Sequence, residues 1–296
     1  MDFDYIHNLS VLDLNWGNLN NNDIISFAEA LKVNSSLTRL KLGLDIIKEN
    51  KDVKALVEAL AEALKVNSSL TILNLLSNNL KEINALAEAL KVNSSLTYLN
   101  LCRNKIGKES IASLSEALKV NSSLTRLDLW GNNIKEVNAL AEALKVNSSL
   151  TELYLDNNNI GKEVNALAEA LKVNSSLTKL NLWNNNIKEV NALAEALKVN
   201  SSLTILNLGC NNIDKEIKAL AEALKVNSSL TELYLRQNKI EKEGAVSLAE
   251  TLKVNSTLTW LDLNLNQIGN EGSEALAEAL EVNSTLTELN LDNNYI

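Results

Sequence analysis

One histidine, His7, and two cysteines, Cys102 and Cys210, are the whole supply of imidazole and thiol in 296 residues. Their spacing offers neither a nucleophile beside a base nor the clustered ligands of a zinc site. Glycine is scarce, and Gly107, Gly161 and Gly269 each follow an isoleucine at a loop corner, where a turn accounts for them better than a phosphate cradle. No catalytic residue, metal or cofactor is expected. What remains is recognition chemistry. Four tryptophans and five tyrosines stand among Arg, Lys, Asp and Glu, and such residues give large contact area at small entropic cost, with charge to orient a partner.

The elements that must position them recur. The string Val-Asn-Ser-Ser/Thr-Leu-Thr returns ten times, from Val33 to Val282, at intervals of 26 to 28 residues with one of 33. A period in this range marks a solenoid. Aligned copies read L-T-x-L-x-L-x-x-N-x-I, then a short polar loop, then A-L-A-E-A-L-K-V-N-S-S. In the copy over 150–176, Leu150, Leu153, Leu155 and Ile160 hold the fixed apolar positions and Asn158 the fixed amide, while Val164, Leu167, Ala168 and Leu171 form one apolar stripe. The L-x-L segment predicts one short strand per unit. Parallel neighbours need a crossover, which the Ala-Leu segment supplies as a helix.

The polar constants have structural readings. Asn78, Asn104, Asn132, Asn158, Asn185, Asn211, Asn238, Asn266 and Asn294 fall where the chain leaves its strand, so their amides are expected to satisfy backbone groups there. The Asn of each Val-Asn-Ser corner is expected to end its helix in the left-handed conformation. Gly17 and Asp45 replace the amide in the first two units, and Lys48 to Val57 is an insertion in the second. Phe3, Tyr5, Ile6 and Phe27 gather at the start, where an array needs an apolar plug.

These eleven in-register units resemble leucine-rich repeats, of the ribonuclease-inhibitor-like class with long, helix-bearing repeats, from about Leu9 to Ile296. The resemblance implies an α/β horseshoe with a parallel inner sheet and outer helices, and protein partners. One domain is expected over residues 1–296, with 1–32 as cap and first degenerate repeat and 33–296 as regular repeats.

What varies between units is one set of positions. Counting the first Leu of L-T-x-L-x-L-x-x-N as zero, positions two, four, six and seven face away from the core and line the concave side. All four tryptophans fall there: Trp16, Trp130, Trp183 and Trp260. So do Tyr98, Tyr154 and Tyr234. The partner-binding set is therefore Tyr98, Arg103, Arg126, Asp128, Trp130, Glu152, Tyr154, Asp156, Lys179, Trp183, Glu232, Tyr234, Arg236, Trp260 and Asp262. Cross-strand pairing is the competing account for Arg126, Glu152 and Lys179, which alternate in sign on neighbouring strands. The lining is basic toward its amino end (Arg39, Lys41, Arg103, Arg126) and acidic toward its carboxyl end (Glu152, Asp156, Glu232, Asp262, Glu288, Asp292), relieved there by Lys179 and Arg236. Such a gradient would orient a partner.

A net charge of -9 and a pI near 4.9 argue against nucleic acid or an anionic membrane as partner. No apolar run has spanning length, and the start MDFDYIHNLS lacks the form of a secretory signal. Each Val-Asn-Ser-Ser/Thr corner is also an N-glycosylation sequon, a row that fits a chain never exposed to that machinery. The expected location is the cytoplasm, of the producing cell or of a host. The last strand is written without a following helix, so either a longer protein or a homodimer through this carboxyl-terminal edge is expected. The function expected is a non-enzymatic protein-binding module, of effector or immune-recognition type. Two alternatives are an activator of a small GTPase, with Arg103 as its rim residue, and an engineered, consensus-like scaffold.

Overall fold

The computed structural model describes residues 3–15, 21–43 and 50–296. Trp16, Gly17, Asp45 and the first two residues of the Lys48–Val57 insertion lie outside them. Strand and helix alternate along the whole described chain. In order they are β1 (Val11–Asn15), α1 (Asn21–Val33), β2 (Arg39–Gly43), α2 (Asn50–Leu64), β3 (Ile72–Asn74), α3 (Asn84–Leu90) and β4 (Tyr98–Asn100). Next come α4 (Lys108–Leu118), β5 (Arg126–Asp128), α5 (Asn138–Leu144), β6 (Glu152–Tyr154), α6 (Val164–Leu171), β7 (Lys179–Asn181) and α7 (Asn191–Leu197). The series ends with β8 (Ile205–Asn207), α8 (Ile217–Leu224), β9 (Glu232–Tyr234), α9 (Lys242–Leu252), β10 (Trp260–Asp262), α10 (Gly269–Leu280) and β11 (Glu288–Asn290). Strand order is chain order, the α/β leucine-rich repeat arrangement that the repeat pattern predicts. From Asn50 on, the insertion is helical and makes α2 fifteen residues long.

The chain divides into two compact units, Met1–Ile134 with Glu142–Leu153, and Lys135–Ala141 with Tyr154–Ile296. In the first, β1 to β5 pair parallel in sequence, with Tyr98 opposite Arg126 and Asn100 opposite Asp128. In the second, β7 to β11 do the same, with Trp260 opposite both Glu232 and Glu288. Within each unit the fixed leucines and the Ala-Leu stripe bury together: Leu150, Leu153 and Leu155 are 0 % exposed, as are Val164 and Ala168. The plug forms as expected. Phe3, Ile6 and Phe27 are buried, the two rings meeting edge to face at 5.2 Å.

The repeated Asn-Ser-Ser-Leu-Thr is a stack of hydrogen-bond ladders. Asn200 Nδ2 donates to the carbonyls of Leu171 and Asn174 in the preceding repeat, at 2.8 and 3.1 Å. Its Oδ1 accepts from the backbone N–H of Ser202 and Leu203. Asn93 does the same toward Leu64 and Asn67. Serine adds a second rung, Ser229 Oγ to the Asn200 carbonyl, and threonine a third, Thr231 Oγ1 to the Thr204 carbonyl. These Asn residues are not left-handed, contrary to the expectation from the helix end. Positive φ falls instead just after the strands, at Ser77, Arg103, Asn157, Asn184, Cys210, Gln237 and Leu265 among others. The corner Asn spends its amide between repeats, so it has no need to relieve a helix terminus.

The Asn at the strand exit works as expected. Asn238 Nδ2 donates to the carbonyls of Leu208 and Leu235 at 2.9 and 3.0 Å, while its Oδ1 accepts from Asn211 N–H. On the helix surface, Glu195 and Lys198 meet at 2.6 Å, a pair repeated in most helices and worth only a few tenths of a kcal/mol at such exposure.

Candidate functional site

Alternation along three-residue strands decides which side chains can meet a partner. In β9 the central Leu233 is buried while Glu232 and Tyr234 stay half-buried on the other face, and β3, β7 and β10 share that pattern. The face opposite the buried leucines is the open face of the sheet.

In the first unit the lining residues close on one another. Asp128 is buried and accepts from the Tyr98 hydroxyl at 2.7 Å and from Arg126 Nε and Nη2 at 3.1 and 3.0 Å. The Arg126 guanidinium stands 4.6 Å from the Tyr98 ring centroid, and its other nitrogen lies 3.4 Å from Glu152. Two parallel N–H bonds to one carboxylate fix the arginine in place. Arg103, in the left-handed conformation, lies 4.4 Å over the ring of Trp130, whose buried indole N–H has no acceptor. Lys41 similarly pairs with Asp13 at 2.8 Å. Cross-strand pairing therefore accounts for Arg126 and Glu152 at least in part, and the basic amino-terminal charges are largely spent within the chain.

In the second unit Lys179 Nζ lies 5.2 Å over the Tyr154 ring, and Asp156 stands half-buried two residues further on. Trp183 rests against Gly209, where a methyl group would come within 2.7 Å of the indole Cδ1. Cys210 donates its thiol proton to Gln237 Oε1 at 3.2 Å; burial pushes this thiol up, with Arg236 acting against it. Tyr234 donates to Glu232 at 2.7 Å and packs against Trp260 at 6.2 Å between centroids. Asp262 accepts the Asn264 N–H, which curls the chain out of the strand, and Arg236 is exposed.

Gly209 and Leu265 do not stand out in sequence by residue type. Gly209 becomes visible only when it is seen beneath an indole. Leu265 becomes visible only in the structure: it is a 38 % exposed leucine with φ +57° at a left-handed position that other repeats fill with Asn, Gly, Ser, Arg, Cys or Gln. Among the described residues no cluster of His, Cys, Asp and Glu could hold a metal, and no helix is long and apolar enough to cross a membrane.

Two phenols are displaced. Burial first, and then the hydrogen bond to Asp128, hold Tyr98 well above the ordinary tyrosine range. Tyr234 is pushed up to about 12 by burial and by the Glu232 carboxylate. Since the neutral phenol is favoured in the fold, its stabilising contribution is full below about pH 10 and disappears as pH rises through about 12. Ultraviolet titration should leave Tyr98 and Tyr234 protonated at about pH 11, and Glu232→Gln should return Tyr234 toward the ordinary value. Ionisation of these two phenols at about pH 10 would contradict this geometry.

The Leucine Rich repeat family model matches residues 92–115, 146–163, 199–217, 226–249 and 254–277. Curated protein sequences give no match. Among solved structures, the chain is similar to an internalin (inlF) from Listeria monocytogenes str. 4b F2365. The TM-score is 0.50 at 19 % identity, covering 98 % of this chain and 88 % of that one. At this identity the likeness concerns the fold, and it agrees with the repeat arrangement. Neither match names the ribonuclease-inhibitor-like class.

Proposed function

We propose that this leucine-rich repeat chain is a non-enzymatic protein-binding module whose partner docks on the open face of the sheet. One observation carries the reading: the constant Leu, Asn and Thr of the repeats, with the second Ser of each corner, are used by the fold, the corner Val (63 % exposed at Val199) being the exception, whereas variation along the strands collects on one face. The leucines fill the core, and Asn, Ser and Thr form the ladders. Position two, in contrast, runs from Tyr98 through Arg126, Glu152, Lys179, Ile205 and Glu232 to Trp260, a diversity that no ladder or core contact requires. A GTPase activator is less well supported, because Arg103, its best candidate, is laid over Trp130. The test is affinity capture from lysates of candidate hosts. Trp130→Ala and Trp183→Ala should each deplete a captured protein that Glu142→Ala, on an exposed helix position, retains; equal capture by all three chains would refute docking on this face.

The same ladders support a cytoplasmic home. The corner sequons from Asn67 on, Asn93 and Asn200 among them, typically place the Asn Nδ2 between two carbonyls of the preceding repeat, and a glycan there would displace both. Directed through a eukaryotic secretory pathway, the chain should emerge glycosylated and unfolded, and Asn→Gln changes would not rescue it. A folded, glycan-bearing product would refute this.

The carboxyl-terminal edge supports a second, narrower association. Leu286, Leu289 and Leu291 are half-buried, unlike their fully buried counterparts Leu203, Leu206 and Leu208, and β11 has a neighbour only in β10. Pairing of two chains along β11 would cover them. Light scattering should then show dimers that Leu289→Lys disperses.

A further inference from the structure

Three aromatic side chains of the open face carry a cation supplied by the chain itself: Arg126 over Tyr98, Arg103 over Trp130, and Lys179 over Tyr154. Tyr234 and Trp260 are the contrast. They form a tilted pair, 6.2 Å between centroids and 35° between planes, and among the described residues no Lys or Arg of the chain stacks on either ring. Parallel register puts Glu232 and Glu288 directly opposite Trp260 on its two sides, and Asp262 opposite Tyr234.

Glu232 accepts from the Tyr234 hydroxyl and Asp262 from the Asn264 N–H, but no cation answers these carboxylates among the described residues. Ion pairs elsewhere in this unit join Glu to Lys on the helix surface, whereas Glu232, Asp262 and Glu288 enter none among the described residues. Glu232 and Asp262 are nevertheless near enough to hold the Tyr234 phenol proton. Arg236, the cation nearest in sequence, is at position six, beyond the end of β9. The Trp260 indole N–H is buried without an acceptor.

We propose that Tyr234 and Trp260, ringed by Glu232, Asp262 and Glu288, form the receiving site for an arginine side chain in a basic segment of the protein partner. This rests on the open-face reading and adds the partner's chemistry to it. A guanidinium matches all three features at once. It stacks on Trp more favourably than an ammonium held by its hydration shell, its fork fits a carboxylate, and its charge replaces what the other aromatic sites obtain internally. A neutral or acidic segment would leave three carboxylates facing it unpaired.

The probe is a fluorescein-labelled tetra-arginine peptide, followed by anisotropy at physiological salt. The native chain should bind it saturably. Trp260→Ala should weaken binding about tenfold, Trp260→Phe and Glu232→Gln by less, and Glu195→Gln, which removes the same charge from the helix surface, not at all. Circular dichroism melts confirm that each variant is folded. A tetra-lysine peptide should bind more weakly than tetra-arginine. Binding unchanged by Trp260→Ala would reduce the effect to net charge and overturn the proposal, as would absence of saturable binding. Free arginine competing as effectively as the peptide would replace a protein segment with a small cation and also overturn it. Lysate capture separates this from the broader reading: if the peptide fails while Trp130→Ala and Trp183→Ala still lose a partner, only the arginine site is wrong.

Discussion

Asn200→Ala is expected to lower the unfolding free energy by about 3 kcal/mol, although it changes a residue on a surface corner and removes no apolar contact. Asn200 is 6 % exposed and its side chain makes four hydrogen bonds to backbone groups. Alanine leaves two carbonyls and two N–H groups behind, and each buried unmet group costs about 1–3 kcal/mol before water reaches it. Partial rehydration at the corner brings the sum over the four groups down to about 3 kcal/mol. Asn200→Asp keeps both acceptor bonds but sets a nearly buried carboxylate oxygen against the Leu171 and Asn174 carbonyls, so it should cost at least as much as alanine. The adjacent Val199 is 63 % exposed, and Val199→Ser should be close to neutral. Urea unfolding of the four chains checks the order. An alanine variant as stable as Val199→Ser would mean that the ladder is geometry without energy.

That ladder also marks the boundary of what sequence could tell. The strand and helix of every repeat were legible because apolar spacing directly encodes them: Leu153 and Leu155 must bury together, and so must Leu167 and Leu171. The role of the corner Asn was not. A single Asn after a helix has two physical uses, a left-handed cap or a bridge between carbonyls, and only the position of the preceding repeat decides between them. The lining was legible as a face because period two fixes which side chains share it. Its internal pairing was hidden for a different reason. Arg126 and Glu152 could be matched by neighbouring strands, but Arg126 gripping Asp128 on its own strand and stacking on Tyr98 depends on rotamers. Hence sequence showed two opposed charge fields, while the structure shows that the basic field is mostly consumed and the acidic one is left open.

Phe27→Ala is expected to have the largest effect, and a local one. Phe27 is fully buried against Phe3 at the start of the array, and truncating a buried Phe costs about 3–5 kcal/mol. In an ordinary globular core that loss would be felt by every residue, because the core unfolds as one body. Here each repeat touches only its neighbours, so the free energy of opening is set locally and the lost energy stays near the end that lost it. Hydrogen exchange should therefore show β1, α1 and β2 losing protection while β9 and β10 keep the native rates. Denaturant unfolding should gain an early, shallow transition before the main one. Leu206→Ala, in the middle of the second unit and equally buried, costs a similar amount but leaves a repeat with neighbours on both sides, so its cavity should shift the main transition without adding an early one. A uniform rise of exchange throughout the chain in Phe27→Ala would show that the repeats are coupled far beyond their neighbours, and the additive picture on which the Asn200 prediction also relies would need a cooperative term.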